Sequence, residues 1–502
     1  MRFKDLLPLN ARILSAGPNP EITSVAHDSR KVDPGGLFLA IKGETTDGNK
    51  FIEASIERGA VAVVSDSADA GNLNKGAIAL AVVPQGRRAM AEVAAKFFGH
   101  PERKLALNGV TGTNGKTTTT FLLDSLLNSA RRRTALIGTI EYQIAGEVLA
   151  SPHTTPESLD LLRILSQAVS AGVREVTMEV SSHGLDQGRV WGLHFDTAIF
   201  TNLTRDHLDY HKSMESYFAA KQLLFEGTGA SAPRVAVVNA DDEYGRKLMY
   251  SRSVAEVRSY GMEEGDWRAE DTKFGAEDTS FRWKTPFGAV ALRFPLIGGI
   301  NLYNLLAAAT AAHARGLSLD QIAAGVEQVR AAPGRFERVY CGQPFTVVVD
   351  YAHTDDALRN VLRIARELAG KCRVITVFGC GGDRDRGKRC RMGRAAGEAS
   401  DFVVVTSDNP RSEDPLSIIG EILPGLRATD VEIQVEADRR EAIELAIREA
   451  SAGDVVVIAG KGHEKTQTTR QGVFPFDDAK EAKSALHHRN AQHTNKGEGK
   501  IL

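Results

Sequence analysis

The chain has 502 residues, too many for a single hydrophobic core, and its length corresponds to roughly three domains. Apolar residues make up 42% and charged residues 25%, as in an average globular protein, so the composition excludes a disordered or fibrous chain. The formal net charge of -2 excludes recognition of nucleic acid or of an anionic membrane through a general positive field.

We expect neither a secretion signal nor a membrane-spanning segment. The first apolar patch is broken by Pro8 and Asn10, and internal apolar runs such as AIALAVV are too short to span a bilayer. The cysteines show no CxxC or His/Cys ligand spacing, which argues against a zinc site or a disulfide framework. They are Cys341, Cys372, Cys380 and Cys390. We therefore expect a cytoplasmic protein with ordinary thiols.

Short apolar runs alternate with helix-length segments through the first two thirds of the chain. Between residues 20 and 104, GGLFLAI, AVAVVS and IALAVV predict strands, and MAEVAAKFFG predicts a helix that ends near Gly99. From Leu105, the runs LALNGV, REVTMEV, FDTAIF and RVAVVN predict buried parallel strands, with helices such as TTTTFLLDSLLNSA between them. Residues 255–295 predict an antiparallel excursion before a helix that starts near Asn301.

The pattern restarts after APGRFERV. The runs FTVVVD, RVITVFG, DFVVVTSD and DVVVIAG alternate with helices such as DDALRNVLRIARELAG, which predicts a doubly wound domain. The last stretch, HHRNAQHTNKGEGKIL, is polar and predicts a frayed tail. We therefore expect an α/β protein with a small α/β domain over 1–104, a central parallel-sheet domain over 105–335, a third domain over 336–490 and a tail over 491–502.

The sequence VTGTNGKTTT, between a predicted strand and a predicted helix, indicates a phosphate-binding loop. Backbone N–H groups of the turn from Gly112 to Gly115 would face an anion, Lys116 would reach the terminal phosphates, and the Thr117 hydroxyl could ligate Mg²⁺. The match to GxxxxGK[ST] is incomplete, because Val110 stands where the first glycine is expected. The position between strand and helix still favours a nucleotide site.

Later segments supply candidate metal ligands, each with an ordinary alternative. Glu179 ends a predicted strand and could join Thr117 on Mg²⁺, although strand-end glutamates are more often caps or surface partners. His207 and His211 are four residues apart and could face one metal if their segment were helical; otherwise they are turn histidines bonded to backbone. Lys221 lies on an apolar helix face, where a lysine usually extends to water.

Several segments, in chain order, resemble the Mur ligase superfamily, the ATP-dependent amide-forming enzymes of peptidoglycan precursor synthesis. They are VTGTNGKTTT, MEVSSHGL, NLTRDHLDYH, GGINLYNLLAAA, GRFERV and VDYAHTDDAL. The superfamily's own phosphate loop accounts for the departure at Val110. The resemblance implies a UDP-binding N-terminal domain, a central P-loop ATPase domain and a C-terminal Rossmann-like domain.

A second set of segments is similar to the branch that adds the third peptide residue to UDP-N-acetylmuramoyl-L-alanyl-D-glutamate. They are HDSRKVDPGGLFLAIKG, HTTPES, GGDRDRGKR, SDNPRSEDP and AGKGHE. DNPR is the variant used when that residue is meso-diaminopimelate. The implied reaction starts with attack of the D-glutamyl carboxylate on the γ-phosphate of ATP. The diaminopimelate amine then attacks the resulting acyl phosphate, and phosphate leaves.

The resemblance implies two Mg²⁺ ions, ATP as co-substrate and a CO₂-derived carbamate on Lys221. The implied catalytic residues are Lys116, Glu179, His207 and Lys221, with Thr117, Glu179, His207 and the carbamate of Lys221 as metal ligands; His211 is expected to be structural. The implied ATP contacts are Gly112, Thr113, Asn114, Gly115, Lys116, Thr117, Thr118, Asn301, Asn304, Arg335 and Asp350. For Asn304 the alternative is a helix cap or a surface amide.

The implied substrate contacts fall into two groups. For the UDP-sugar peptide they are Ser29, Thr154, Thr155, Ser181, Gln187 and Arg189. For diaminopimelate they are Arg384, Asp408, Asn409, Pro410, Arg411, Gly460 and Glu464. Arg411 could bind the distal carboxylate of diaminopimelate through two parallel hydrogen bonds, and Asp408 and Glu464 could bind the distal ammonium.

Other functions stay open at this point. The nearest is the same reaction with L-lysine, which has no distal carboxylate for Arg411. Next are the ligase that adds D-Ala-D-Ala and folylpolyglutamate synthetase, which share the loop and the mechanism. A different class is a phosphate-loop NTPase that drives a conformational change in a partner. We expect small-molecule substrates only, no nucleic acid, no membrane insertion and a monomer.

Overall fold

The computed structural model describes residues 1–14, 19–43, 46–73, 78–250, 253–275 and 277–498. The chain forms two compact units. The first comprises Met1–Glu270, Arg282–Ala291 and Asn304–Val326, and the second comprises Asp271–Phe281, Leu292–Tyr303 and Glu327–Leu502.

The first unit begins with a small five-stranded sheet. Its strands are β1 (Arg12–Ile13), β2 (Val25–Ala26), β3 (Leu37–Ala40), β4 (Ala62–Ser65) and β5 (Ala79–Val82). Its helices are α1 (Phe3–Leu6), α2 (Ile52–Glu57) and α3 (Gly86–Phe97). The order is β1-β5-β4-β3-β2, with only β1 antiparallel to its neighbour. The three predicted strands and the predicted helix of this region are confirmed.

The central sheet has eleven strands, in the order β16-β15-β14-β13-β12-β11-β6-β10-β7-β8-β9. They are β6 (Ala106–Thr111), β7 (Thr134–Ile137), β8 (Glu141–Ile144), β9 (Glu147–Ala150), β10 (Glu175–Glu179), β11 (Thr197–Phe200), β12 (Val235–Asn239), β13 (Glu256–Gly261), β14 (Trp267–Phe274), β15 (Thr279–Thr285) and β16 (Gly288–Phe294). Strands β7, β10, β6, β11 and β12 are parallel neighbours. Their continuous apolar runs are buried, as expected for a sheet covered on both faces.

Helices of the same region connect these strands. They are α4 (Lys116–Ser129), α5 (Ser158–Ser170), α6 (Ser182–Asp186), α7 (Leu208–His211), α8 (Met214–Glu226), α9 (Glu243–Leu248), α10 (Gly299–Ala314) and α11 (Leu319–Val326). One expectation needs correction: within the predicted antiparallel excursion β14 pairs parallel with β13, and β13, at its start, pairs parallel with β12. For β12 and β13 the reason is the crossover through α9, which returns the chain in the same direction. The two-residue connection between β15 and β16 makes that later pair antiparallel.

The second unit contains a six-stranded sheet in the order β17-β18-β22-β19-β20-β21, and a separate hairpin. The strands are β17 (Glu337–Val339), β18 (Thr346–Asp350), β19 (Val374–Phe378), β20 (Phe402–Val405), β21 (Glu432–Val435), β22 (Val455–Ala459), β23 (Thr466–Thr469) and β24 (Gly472–Pro475). The helices are α12 (Asp355–Ala369), α13 (Gly387–Ala399), α14 (Pro415–Leu426), α15 (Arg439–Glu449) and α16 (Asp478–Glu498).

The six-stranded sheet is parallel except at β17, and apolar clusters cover both of its faces. The predicted doubly wound architecture is therefore confirmed. Helix α16 continues to Glu498, into the stretch predicted as a frayed tail from residue 491, and residues 499–502 lie outside the described residues. Within the part of the chain described, no helix is long and apolar enough to cross a membrane.

Candidate active site

The predicted phosphate loop joins the end of β6 to the start of α4. Gly112 and Gly115 have positive φ angles of 149° and 86°. A Cβ at Gly115 would lie 2.3 Å from Asn304 Oδ1, and one at Gly112 would lie 1.9 Å from Thr201 Oγ1. Glycine is therefore required at both positions, and the 14-residue helix α4 directs its free N–H groups at the loop.

Val110, the departure from the general phosphate-loop motif, belongs to strand β6. It is fully buried and lies opposite Glu179 of β10. Strands β10 and β11 both run parallel to β6, so their carboxyl ends meet at the edge where the loop begins. A buried strand position favours a β-branched side chain over glycine, which explains the departure.

Glu179 is the buried acidic group at this edge. Its side chain is inaccessible to solvent, so the alternative of a surface partner is wrong. Oε2 accepts hydrogen bonds from Thr117 Oγ1 at 3.0 Å and from Thr139 Oγ1 at 3.0 Å, and Oε1 accepts one from the Thr139 backbone N–H at 2.7 Å. Within the described residues no lysine or arginine pairs with Glu179, so a buried carboxylate faces the loop with neutral donors alone.

Two lysines converge on one carbonyl oxygen of the loop. Lys116 Nζ lies 3.0 Å and Lys221 Nζ 2.8 Å from Gly112 O. The expectation that Lys221 extends to water is wrong: it is 1% exposed, because helix α8 packs this face against β6. Burial, reinforced by Lys116, lowers the pKa of Lys221 well below its ordinary value. Burial therefore favours the neutral form of this amine beside the phosphate loop.

His207 and His211 do not face one metal. His207 precedes α7 in a left-handed conformation with φ of 52°, so it lies outside the helix that the spacing argument requires. His211 is buried, its Nε2 lies 2.9 Å from Ser182 Oγ, and its ring stacks on Tyr217 with centroids 5.0 Å apart. These contacts support the expected structural role of His211.

His207 lies close enough to Lys116 and Lys221 for their charges to affect its pKa. Burial, opposed by Asp206 and reinforced by His183 and by Lys116 and Lys221, lowers the pKa of His207 to about 4. The imidazole is therefore neutral near pH 7 and keeps a nitrogen lone pair for a cation. Its ring meets that of His183 edge-on, with centroids 4.9 Å apart.

The donor set at the loop fits Mg²⁺. Mg²⁺ keeps several waters and needs only one or two protein carboxylates beside substrate phosphates. Glu179 supplies a buried carboxylate without a cationic partner, and Thr117 supplies a hydroxyl whose proton is directed at Glu179. Among the described residues, no group of three or more His, Cys, Asp or Glu side chains is arranged to hold a metal. A site here would therefore combine few protein ligands with phosphate and water.

Residues predicted to bind the UDP-sugar peptide are brought together beside Glu179. Thr155 is buried, and its Oγ1 donates to the Glu179 backbone carbonyl at 3.0 Å. The Ser181 N–H donates to Thr155 Oγ1 at 3.0 Å, and Ser181 Oγ caps helix α6 by accepting from the Gly184 N–H. Thr154 Oγ1 lies 3.0 Å from Thr139 Oγ1.

Arg87 and Arg189 both contact the side chains of Glu157 and Gln187. Arg189 Nε lies 3.0 Å from Gln187 Oε1 and 3.2 Å from Glu157 Oε1, and Arg189 Nη1 donates to the Thr155 carbonyl at 2.8 Å. Arg87, from the start of α3, lies 3.1 Å from Glu157 and 3.3 Å from Gln187. Two guanidinium groups thus share one carboxylate, which leaves an excess positive charge suited to a diphosphate.

Ser29 lies in a short 3-10 helix, Ser29–Lys31, in the first sheet region. Asp28 caps this helix, and its hydrogen bonds from Arg30 lower the pKa of Asp28 to about 2. Asp28 also lines a cavity of about 300 Å³ together with His27 and Leu159. The first two residues of HDSR therefore line a cavity together with residues of α5, and Ser29 is adjacent in sequence without lining it.

The two asparagines of α10 occupy different surroundings. Asn304 is 4% exposed and accepts a hydrogen bond from Thr119 Oγ1 at 3.4 Å, beside Gly115. Its alternative role as a helix cap or surface amide is wrong, because it lies in the middle of the helix and is buried. Asn301 is buried in the second unit, and its Nδ2 donates to the Ile297 carbonyl at 2.9 Å.

In the second unit, Asp350 ends strand β18. It is buried and accepts hydrogen bonds from the Phe336 N–H at 2.7 Å and the Ala352 N–H at 2.8 Å. Burial, opposed by Arg335, raises the pKa of Asp350. The Arg335 guanidinium lies over the Tyr351 ring, 4.8 Å from its centroid. Arg335 is thus close enough to Asp350 to affect its pKa, and their contact with the nucleotide stays a prediction.

The predicted diaminopimelate residues also lie in the second unit, around a buried lysine. Lys461 is inaccessible to solvent, and its Nζ lies 3.0 Å from both Asn409 Oδ1 and Glu464 Oε2. Asn409 Oδ1 also accepts from the Thr468 N–H, so its Nδ2 donates to Glu464 Oε2 at 2.7 Å. These bonds fix both the amide and the carboxylate.

Arg411 has a positive φ of 53°. Its Nη1 donates to the Gly382 carbonyl at 2.7 Å and lies 3.5 Å from that of Asn409. Gly460 has φ of 117°, and a Cβ there would lie 2.6 Å from Asp408 Oδ2. The Arg384 side chain is near Gly381, and its Nη1 lies 3.4 Å from the Asp383 carbonyl. Basic and acidic groups predicted to bind diaminopimelate therefore lie close together in the second unit.

A buried ion pair is bonded to the backbone next to these residues. Arg439 and Asp478 are both fully buried, 2.7 Å apart. Arg439 also donates to the carbonyls of Ser407, at 3.4 Å, and Ala459, at 3.0 Å. These carbonyls immediately precede the pocket residues Asp408 and Gly460 in the sequence.

Four residues that contact the predicted site residues within their own units escaped the sequence reasoning. They are Arg87, Thr139, Glu157 and Lys461. Lys461 stands in AGKGHE, a segment that the sequence singles out without assigning its lysine a role. Thr139 lies two residues after the end of strand β7, and Glu179 ends β10, so the position of Thr139 near the sheet edge was a usable signal. Arg87 and Glu157 have no local pattern that distinguishes them from surface charges.

Comparison with known families covers almost the whole chain. A model of the Mur ligase family catalytic domain matches residues 21–107, the Mur ligase middle domain matches 110–312, and the Mur ligase glutamate ligase domain matches 334–462. Residues 108–109 and 313–333 lie between these matches.

Individual relatives agree with these matches. The chain is 54% identical over 468 residues to a UDP-N-acetylmuramoyl-L-alanyl-D-glutamate--2,6-diaminopimelate ligase of Solibacter usitatus, covering 93% of this chain and 94% of the relative. It is 47% identical to the ligase of the same name from Geobacillus thermodenitrificans, over 94% and 96% of the two chains. A solved structure of that name aligns with a TM-score of 0.70 at 35% identity, covering 98% of this chain and 99% of the other.

A more distant structure shares the fold alone. MurF ligase of Thermotoga maritima in complex with ADP aligns with a TM-score of 0.64 at 18% identity, covering 93% of this chain and 98% of the other. The family matches account for more than half of the chain, and the identities extend from the first sheet to the last. With the phosphate loop, Glu179 and Lys221 at one sheet edge, the chain belongs to the Mur ligase family.

Proposed function

We propose that this protein is an ATP-dependent, ADP-forming ligase that joins meso-diaminopimelate to UDP-N-acetylmuramoyl-L-alanyl-D-glutamate in peptidoglycan precursor synthesis. The main support is identity of 54% over 93% of the chain to a relative with that name. The site adds chemical support, since a phosphate loop, a buried carboxylate and a basic patch for a diphosphate occur in one unit.

In the first step the D-glutamyl carboxylate attacks the γ-phosphorus of ATP, ADP leaves, and an acyl phosphate forms. Attack of one anion on another needs fixed positive charge. The loop N–H groups and Lys116 would bind the phosphates, and Arg189 with Arg87 would orient the UDP-sugar peptide. Thr117 and Glu179 would hold one Mg²⁺ and His207 a second. Mg²⁺, when bound, neutralises phosphate charge.

We propose that Lys221 reacts with CO₂ to form a carbamate. The nitrogen lone pair forms a bond to the CO₂ carbon and one proton leaves, so a basic side chain becomes an anionic oxygen ligand. Only a neutral amine can react in this way, and the buried position of Lys221 favours that form. The anionic carbamate would also be attracted to the positive charge of Lys116, which disfavours a protonated Lys221.

In the second step the amine of diaminopimelate attacks the acyl carbonyl and phosphate leaves. Arg411 would hold the distal carboxylate, and Asp408 with Glu464 the distal ammonium. Glu464 keeps a fixed orientation through Lys461 and Asn409, which supports recognition of a charged group. The same reaction with L-lysine is the second candidate, but lysine would leave the charge of Arg411 without a partner.

We further propose that the protein acts as a cytoplasmic monomer on small molecules, without nucleic acid. The net charge of -2 and the local positions of the positive groups support small anionic substrates. The proposed domain boundaries are 1–104, 105–335 and 336–490, which separate the three main sheets. Light scattering on purified protein tests the monomer.

The decisive experiment measures phosphate release with ATP, Mg²⁺ and UDP-N-acetylmuramoyl-L-Ala-D-Glu. Parallel reactions contain meso-diaminopimelate, L-lysine or no amino acid, and mass spectrometry identifies the product. Turnover only with diaminopimelate, with the tripeptide as product, supports the proposal. Turnover with lysine would keep the family reaction and overturn the amino-acid assignment. Turnover independent of any amino acid would favour an NTPase.

A further inference from the structure

A continuous row of hydroxyl groups connects the acidic group of the metal site to a residue predicted to bind substrate. Thr154 Oγ1 lies 3.0 Å from Thr139 Oγ1, and Thr139 Oγ1 lies 3.0 Å from Glu179 Oε2. Thr117 Oγ1 meets the same carboxylate oxygen from the phosphate loop at 3.0 Å. No residue of the reaction scheme above explains why Thr139 occupies the middle of this row.

The protons in this row can be assigned by counting. An ionised carboxylate only accepts hydrogen bonds, so Thr139 must give its single hydroxyl proton to Glu179. The Thr139 oxygen can then only accept, and Thr154 must therefore donate its own proton to Thr139. The lone pairs of Thr154 Oγ1 remain for a ligand, so Thr154 can accept from a substrate but has no proton left to donate.

The Thr139 segment is held in place from several sides. The Thr139 N–H donates to Glu179 Oε1 at 2.7 Å, so this one residue contacts both oxygens of the carboxylate. Ser151 Oγ donates to the carbonyl of Gly138 at 2.5 Å. A Cβ at Gly138 would lie 2.5 Å from Glu179 Oε1, so glycine is needed to let the backbone approach the carboxylate.

We propose that Thr139 is a positioning residue that orients the Glu179 carboxylate and makes Thr154 an obligate hydrogen-bond acceptor toward the UDP-sugar peptide. This inference rests on the proposed function and names the part of the substrate that Thr154 contacts. Diphosphate oxygens only accept hydrogen bonds, so Thr154 meets an N–H or O–H group of the sugar or the peptide. Loss of the Thr139 hydroxyl leaves the Thr154 O–H without its acceptor. It therefore disturbs both the Glu179 carboxylate and the substrate contact of Thr154.

The test compares Thr139→Val, Thr154→Val, the double variant and Thr139→Ser. Thr139→Val keeps the side-chain shape and the backbone N–H that contacts Glu179. The matched control is Thr177→Val in strand β10, whose buried hydroxyl has no hydrogen-bond partner among the described residues. Calorimetry measures the Kd of UDP-N-acetylmuramoyl-L-Ala-D-Glu without ATP, inhibition assays give the Ki of UDP, and thermal melts confirm folding.

We expect each single variant to raise the Kd of the UDP-sugar peptide about tenfold, the loss typical of one hydrogen bond in a site. The Kd of the double variant should be no more than about twofold above that of the single variant that binds more weakly, because both substitutions break the same row of hydrogen bonds. Thr139→Ser should restore binding to within about threefold of the unmodified protein. Thr177→Val should bind normally, and the Ki of UDP should change in none of the variants.

Three outcomes would overturn the inference. They are additive losses in the double variant, unchanged substrate binding in a folded Thr139→Val protein, and a Ki of UDP that rises as much as the Kd of the whole substrate in Thr154→Val. The unmodified protein tests the proposed function separately: tripeptide formation together with one of these results would refute the role of Thr139 and leave the ligase reaction intact.

Discussion

The proposed carbamate on Lys221 leads to a quantitative prediction, because the Nζ atoms of Lys116 and Lys221 both contact the carbonyl oxygen of Gly112. Both Nζ atoms lie within 3.0 Å of Gly112 O, so they are at most about 6 Å apart. Two unit charges at that distance interact by about 3 kcal/mol at an effective dielectric constant of 20. A protonated Lys221 would suffer this repulsion from Lys116, and a carbamate would gain an attraction of the same order.

We expect Lys221→Ala to lower kcat by roughly 100-fold to 1000-fold, the typical effect of removing one preorganised electrostatic contact. Because Lys221 is buried, its truncation leaves space in the interior, and we expect millimolar formate or acetate to enter it and restore part of the activity. Lys247→Ala, an exposed lysine on α9, is the matched control and should keep full activity with no response to carboxylates.

Carbon-13 NMR observes the modification directly. Protein equilibrated with ¹³CO₂ should show one carbamate resonance that is retained in Lys247→Ala and missing in Lys221→Ala. Activity of Lys221→Ala equal to that of the protein without substitutions would refute the role of Lys221. A full-length protein with normal turnover and no carbamate resonance would refute the modification while leaving a role for the amine.

Arg411→Lys should raise the KM for diaminopimelate at least tenfold and leave that for ATP unchanged, because one ammonium cannot reproduce the planar guanidinium; equal KM values for diaminopimelate would show that the pocket is assigned wrongly. Gly112→Ala places a Cβ 1.9 Å from Thr201 Oγ1 and should abolish ADP binding in calorimetry, whereas Gly420→Ala, with open space around it, should bind normally. Burial raises the pKa of Asp124 from 3.8 to about 6, so the protonated form stabilises the fold below pH 4 and this contribution is lost as the pH rises through 6. Urea denaturation should therefore show the stability of the unmodified protein falling by roughly 3 kcal/mol relative to Asp124→Asn between pH 4 and 7, and a constant difference would contradict the shift.

The sequence predicted the strands, the phosphate loop and the α/β class because these depend on local apolar runs and on glycine. It also predicted that Glu179 stands at the ligand-binding edge of the sheet, since parallel strands end together. Only the structure decides between the ligand and the surface partner, because burial of Glu179 depends on loops far away in sequence, such as the one that carries Thr139.

Lys221 shows the limit of local reasoning. A lysine on an apolar helix face normally reaches water, and nothing within α8 indicates that the loop after β6 covers it. The family resemblance alone singled it out. His207 and His211 show the opposite error. Their spacing suggested that both could bind one metal, but His207 itself has a left-handed conformation and lies outside helix α7. Lys461 was invisible as a partner because pairing with Asn409 joins segments 52 residues apart.

The buried pair of Arg439 and Asp478 limits where this chain can be shortened. Asp478 is the first residue of the C-terminal helix α16, yet its carboxylate neutralises the guanidinium that secures the carbonyls of Ser407 and Ala459. A chain that ended before Asp478 would keep every residue predicted to contact diaminopimelate and would leave a buried charge uncompensated, at a cost of about 3 to 5 kcal/mol. The C-terminal helix thus stabilises the segments that are predicted to contact diaminopimelate, although it contains none of the predicted contact residues.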